Sequence, residues 1–382
     1  MKPDYCFPNR LEDILALETA KKLNPNGAHA PYYLGCLFYD KRQYDVAIEN
    51  WELSSRLNPD EPMVWRNLAL ARFNKQGRRD EALEYMEKAF ALDKTDARML
   101  MELDQLYKRM KKPYAERLAF LQQHSNLIQQ RDDLVLEEIT LLNQLGRYEE
   151  AMHKLDAHHF HPWEGGEGKV TSQYQVCRLE LAKRHLQDSQ SPEKAIALLK
   201  ECLTYPRHFG EGKLETAQEN DFNYYIGVAY KMMGDVEQAR HYWQLATQGP
   251  QEPAAALYYN DSKPEKIFYQ GLALRRLAEL SDDPEENARL NGGVNGRFHC
   301  LVNYGKQHIF ETPVMDYFAV SLPDMLVWDD DLGERNRLHC LYLLALGYYG
   351  LGDHVRSERY QKELRLAAPK GESDLQFTIS GL

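Results

Sequence analysis

A period of 34 residues runs through the first part of this 382-residue chain. Leu17, Ala20 and Pro25 return as Trp51, Ser54 and Pro59; Leu34 returns as Leu68, and Ala69 answers Gly35. Each copy at such a period is one supersecondary unit that cannot bury its apolar face alone and is stable only against its neighbours. The first full copy carries Leu34, Gly35, Phe38, Tyr44, Ala47, Trp51, Ser54 and Pro59. Shifted by 192, the same frame lands on Ile226, Gly227, Tyr230, Gly234, Ala239, Trp243 and Ala246. Shifted by 310, it gives Leu344, Ala345, Tyr348, Gly352 and Pro369, with Ser357 in the small-residue place.

This frame matches the tetratricopeptide repeat, a helical hairpin in which Gly35 and Ala47 let two helices approach. Trp51 and Trp243 are expected as knobs between one hairpin and the next. Pro25, Pro59 and Pro369 end helices, because proline lacks the N–H and restricts the residue before it. Weaker copies follow at Trp65, Leu68, Ala82 and Ala89, then at Leu100, Leu103, Tyr107 and Phe120. Others follow at Gly146, Tyr148, Ala151 and Leu155, and at Ala195, Leu199 and Cys202. Between Lys263 and Gln307 the pattern loosens, with FYQGLALRRLAEL and GRFHCLVNYGKQH as the expected helices. VMDYFAVSL, bracketed by Pro313 and Pro323, is the one strand candidate. The expected fold is all-α, a tetratricopeptide-type right-handed solenoid of about eight to nine hairpins. Its expected parts are an entry segment (1–27), N-terminal repeats (28–157) and long repeats (158–260). An irregular repeat with a non-repeat connection (261–337) and a C-terminal repeat with tail (338–382) complete it.

Composition narrows the function. With 47 Lys and Arg against 58 Asp and Glu the net charge is −11, which disfavours nucleic acid. No stretch approaches a membrane span, and the first residues lack the form of a secretory signal. The six cysteines stand far apart without CxxC spacing, as expected of reduced thiols in a cytoplasmic protein.

The departures from the repeat are where a binding surface is expected, since insertions in a solenoid map to one face. HHFHPWEGGEGKVTSQY (158–174) and YPRHFGEGKLETAQENDFNYY (205–225) share Gly-Glu-Gly-Lys, at Gly166–Lys169 and Gly210–Lys213, 44 residues apart. A phosphate loop is excluded: Trp163 and Arg207 replace its leading glycine, Val170 and Leu214 follow the GK, and no strand precedes. Stacked repeats should bring the two loops side by side, with Glu167 near Glu211 and Lys169 near Lys213. The expected surface is His161, Trp163, Glu164, Glu167, Lys169, His208, Glu211 and Lys213, with Trp163 as a stacking face. The bland alternative is a pair of helix-stopping loops packed on the solenoid. His158, His159 and His161 are too close in sequence to surround a metal, and Asp329, Asp330 and Asp331 lack calcium-loop spacing. The acidic run reads as a solvated turn before the next helix. Neither a cofactor nor a catalytic residue is expected.

Several strings resemble one specific family: PDYCFPNRLEDILALE, APYYLGCLFYDKRQYDVAI, ELDQLYK, FHPWEGGEGKV, GEGKL and YFAVSLPDMLVWDDDL. They are similar to the C-terminal region of large bacterial proteins whose tetratricopeptide part follows a galactose-mutarotase-like β-sandwich domain. The resemblance covers nearly all of the chain, and it implies a link to carbohydrate chemistry carried by the β-domain. It transfers no catalytic residue. The expected function is therefore a non-enzymatic scaffold presenting a groove and the GEGK loops to a protein domain, plausibly that β-domain in cis. A sugar-binding or glycoside-processing site at those loops and a general peptide adaptor are the alternatives. Groove positions Tyr32, Tyr33, Arg66, Asn67, Asn223, Tyr224 and Tyr225 favour a folded partner or a sugar over a charged peptide terminus.

Overall fold

A computed structural model describes residues 6–163, 165–188, 190–255, 263–313 and 327–367. The strand candidate VMDYFAVSL and Pro369 lie outside the described residues. Among the described residues every regular element is helical: eighteen α-helices and one short 3-10 turn. The expected helical hairpins are present, and the described residues form an all-α repeat of such hairpins.

The described residues group into two compact units. Of these, the first comprises 6–112, 119–134 and 327–330; the second comprises those of 113–118, 135–313 and 331–367. In the first unit, α1 (Leu11–Leu23) is followed by the hairpin of α2 (His29–Asp40) and α3 (Tyr44–Leu57). Next come the hairpin of α4 (Pro62–Gln76) and α5 (Arg79–Leu92), then α6 (Ala97–Arg109). The partner of α6, α7 (Tyr114–Gln122), runs across the division, as does α9 (Asp132–Gln144); the short α8 (Ser125–Ile128) belongs to the first unit. The second unit continues with α10 (Tyr148–Ala157). Its hairpins are α11 (Lys169–Gln187) with α12 (Pro192–Glu201), and α13 (Asn220–Met232) with α14 (Val236–Ala246). They are followed by α15 (Lys266–Glu279) with α16 (Pro284–His308), and α17 (Leu332–Gly350) with α18 (His354–Ala367).

Local chemistry sets the helix ends. Pro62, Pro192 and Pro284 open α4, α12 and α16, where the missing N–H is no loss. Asp96 caps α6 by accepting the N–H groups of Arg98 and Met99 at 2.8 and 3.1 Å.

The recurrent frame has one physical core. Trp51 is buried and its indole N–H donates to the Tyr32 carbonyl at 3.2 Å; Trp243 is buried and donates to the Tyr224 carbonyl at 3.1 Å. Each ring lies directly on the glycine of the facing helix, Gly35 and Gly227, so that a methyl group there would overlap it. The tryptophans thus lie on the glycine of their own hairpins, and Trp51 also shares a buried cluster with Val64, Leu68 and Ala71 of the next one. Glycine supplies the room that the indole takes up. Ala47 and Ala239 are fully buried beside them, and Ser54 reaches the Ala28 carbonyl at 2.9 Å from a small-residue position.

The irregular stretch holds a longer helix than its sequence suggests. α16 starts at Pro284, well before GRFHC, and its Leu290, Val294, Phe298, Leu301 and Val302 are buried on one side. Phe298 lies over Gly271 of α15 and Gly350 of α17, repeating the glycine-under-ring device with phenylalanine. The helix propensity lost at Gly292, Gly293 and Gly296 is outweighed by that burial.

Two expectations follow. Trp243→Ala should leave helical circular dichroism nearly intact while costing about 3–5 kcal/mol in a denaturant titration, because the vacated space faces a glycine and cannot collapse. The second concerns His339, buried on α17 with Nε2 3.2 Å from the Ala254 carbonyl. Burial lowers its pKa from 6.5 to about 4. The folded imidazole stays neutral while the unfolded one takes a proton. Stability should therefore rise with pH between about 4 and 6.5 and fall by up to about 3 kcal/mol on acidification. His339→Gln should flatten that part of the profile, which urea melts across the window will show.

Candidate functional site

The two insertions precede the first helices of successive hairpins, α11 and α13, in the second unit. Apolar side chains at their bases fold them onto each other. Phe160 and Phe209 are both buried, with ring centroids 5.9 Å apart and edge to face, and Tyr174 of α11 meets Phe209 at 5.1 Å. The Phe160 N–H donates to the His208 carbonyl at 2.9 Å. Gly210, at φ 71°, presses on the Pro162 ring and the Phe160 carbonyl, where a side chain would clash. The loops do lie side by side.

The eight expected residues are used unequally. Glu211 is half-buried and Oε1 accepts the Gly168 N–H at 3.0 Å, tying the second loop to the first. Its carboxyl is pushed up by burial, held down by hydrogen bonds from Gly168 and Thr171, and pushed up further by the charge of nearby Glu167. Glu167 folds back on its own loop, Oε2 accepting the Gly165 N–H at 2.8 Å. Lys213 pairs with Glu219 and donates to the Leu203 carbonyl at 2.8 Å, while Lys169 is the exposed first residue of α11. His208 is half-buried and Nε2 lies 3.3 Å from the Leu155 carbonyl. His161 is exposed, and the half-buried Trp163 lays its ring on Gly166. Glu164 lies outside the described residues. The neighbouring histidines diverge, His158 against Phe160 and His159 against His208. Among the described residues no group of three His, Cys, Asp or Glu is placed to hold a metal ion.

A second site, which the sequence pattern missed, lies in the first unit. Residues 327–330, bent at Val327 and Trp328, lie over the face made by the first helices α4 and α6. Asn74 clamps the backbone of this segment: its Nδ2 donates to the Val327 carbonyl and its Oδ1 accepts the Asp329 N–H, both at 2.9 Å. Trp328 is buried, edge-on to Phe73 at 5.3 Å, and its indole N–H donates to the Glu102 carbonyl at 2.8 Å. That carbonyl sits on a braced residue, since the Glu102 carboxylate receives Arg66 at 2.5 and 2.7 Å. Arg109 pairs with Asp330 at 2.6 Å, and Lys75 stands 3.8 Å from Asp329. The expected solvated acidic turn is thus only partly so. Asp330 is bound to Arg109, and Asp331 caps α17 through the Glu334 N–H. One sequence signal was available: Asn74 and Arg109 are 35 residues apart, one period plus the inserted residue, and so occupy equivalent places on successive first helices.

No family model matches the chain. Among similar solved structures is YrrB, a TPR protein with an unusual peptide-binding site, at 14% identity over 59% of this chain and 96% of that one (TM-score 0.37). A tetratricopeptide repeat protein from Parabacteroides merdae is similar at 14% identity over 73% of this chain and 99% of that one (TM-score 0.36). Naa15/Naa10 bound to HypK-THB is similar at 14% identity over 94% of this chain and 61% of that chain (TM-score 0.42). The hairpin assignment here rests on the helices and their glycine–tryptophan contacts. No helix among the described residues is long and apolar enough to cross a membrane, and all six cysteines are free.

The electrostatics of Glu211 give a test of the loop pair. A raised carboxyl pKa means that ionisation at neutral pH works against the fold. Glu211→Gln keeps an oxygen for the Gly168 N–H, so the melting temperature at pH 7 should hold or rise, and the gain should vanish as pH falls toward 4. Glu211→Ala, which leaves that N–H unmatched, should melt lower than both.

Proposed function

We propose that this chain is a protein-interaction scaffold that takes an extended polypeptide on the first-helix face of its first unit. The observation that carries the reading is the Asn74 carboxamide, which holds the carbonyl of one residue and the N–H of the next but one. That pattern reads backbone rather than side chain, and so suits extended chains of varied sequence. The test uses the full chain carrying Trp328→Ala to loosen the seated segment. A peptide array should then show binding that is lost on adding Asn74→Ala, with melting unchanged between the two. A folded protein that retains no peptide would overturn the proposal.

The paired loops support a second docking surface, for a partner domain or a polar ligand such as a sugar. Their favouring observation is the cross-brace between Glu211 and Gly168, which fixes the loop carrying His161, Trp163, Glu167 and Lys169 against its neighbour. Under this reading the carbohydrate-active β-sandwich implied by the sequence resemblance is the partner in cis. Titrating neutral hexoses and the separately expressed β-domain against wild type and Trp163→Ala distinguishes the two ligands. Binding unaffected by Trp163→Ala and Lys169→Gln together removes the loop pair from the account.

A further inference from the structure

Residues 327–330 satisfy the first unit's binding face with chemistry of a definite kind: one indole followed by two carboxylates. The indole enters a socket closed by Phe73 and the Glu102 carbonyl, and each carboxylate meets a cation, Lys75 or Arg109. Beyond Arg109 the surface opens into a cavity of about 550 Å³, which Arg78, Arg79, Arg109 and Lys111 line against only two acids, Asp80 and Glu81. These four cations, of which Arg78 pairs with Glu81 at 3.4 Å, are a local inversion in a chain whose net charge is −11. The seated segment reaches the rim of this cavity through Asp330.

The attachment is also limited. Its two ion pairs are partly solvated, with the Asp329 side chain 59% exposed. Solvated pairs of this kind add little to the hold on the segment. What holds the segment is the indole socket together with the Asn74 carboxamide, which bonds the Val327 carbonyl and the Asp329 N–H. A free ligand that fills the same socket and extends further carboxylates into the basic cavity has contacts the resident segment lacks.

We infer that residues 327–330 are a resident competitor, and that the ligand of this face is an extended acidic segment with a tryptophan followed by carboxylates, which displaces them. This rests on the first unit's face being the polypeptide site proposed above. It names the ligand class and the regulation of that site.

The experiment titrates labelled Leu-Val-Trp-Asp-Asp-Asp, the sequence of residues 326–331, against full-length wild type and Trp328→Ala by fluorescence anisotropy. Two further peptides carry Ala for Trp, or Asn for every Asp. Trp328→Ala should bind the first peptide at least about tenfold more tightly than wild type does, because its own competitor is weakened. It should also prefer that peptide about tenfold over either control, and adding Arg109→Gln should erase the preference for Asp over Asn. Equal affinity of wild type and Trp328→Ala for the first peptide overturns the resident competitor. Equal affinity of Trp328→Ala for all three peptides overturns the ligand class while leaving a polypeptide site in place. Binding of none of them by a chain that keeps its circular dichroism and melting removes the site itself. If Trp328→Ala loses its helical signal, Asp330→Lys replaces it, setting a cation against Arg109 with the indole socket intact. The same outcomes then decide.

Discussion

An isolated helical hairpin exposes too much apolar surface to persist in water, and everything else in this protein depends on how that surface is covered. The solution is a ring laid on a glycine. Trp51 on Gly35 and Trp243 on Gly227 bring two helices to one spacing, and both indoles anchor to a carbonyl nineteen residues earlier, at Tyr32 and Tyr224. The repeated spacing is geometric rather than compositional. Phe298 reproduces it between Gly271 and Gly350, where the sequence frame has dissolved. With the interior closed in this way, the first helices are left with polar groups such as Arg66, Asn74, Asn220 and Gln270, whose hydrogen bonds must be found elsewhere.

Those groups find them in the chain's own connections. Asn74 holds residues 327 and 329; Asn220 donates to the Ala246 and Gln248 carbonyls; Gln270 donates to those of Gln248 and Pro250; Asn336 donates to those of His308 and Glu311. A carboxamide is suited to this role because it presents a donor and an acceptor with no charge to desolvate. The same physics that stabilises the turns therefore creates backbone-reading sites. The seat on α4 and α6 differs from the rest in its added indole socket and basic surroundings, which give it side-chain chemistry to select with.

The loop pair follows a different logic. Two charged tetrapeptides in one frame read as a surface made for a ligand, yet part of their charge is spent inward. Glu211 braces Gly168, Lys213 pairs with Glu219, Glu167 accepts the Gly165 N–H and Trp163 covers Gly166, while His161 and Lys169 are exposed.

Sequence by itself determined the hairpins, because a 34-residue period with Gly, Ala and Trp in register admits few ways to bury its apolar face. It also determined that the two GEGK loops would meet, since stacked units return to the same face. It did not determine that Trp51 and Trp243 would lie on the facing glycines Gly35 and Gly227, which depends on the void above each. The start of α16 at Pro284 was hidden as well, because Gly292, Gly293 and Gly296 argue locally against a helix that only tertiary burial of Leu290, Val294 and Phe298 sustains. Least legible was the seat of Trp328. Its partners Asn74 and Glu102 are more than 220 residues away, and no periodicity relates a non-repeat segment to the face that receives it. Only the folded chain brings an indole, a carboxamide and an arginine to one place, because that meeting is set by long-range packing and not by local pattern.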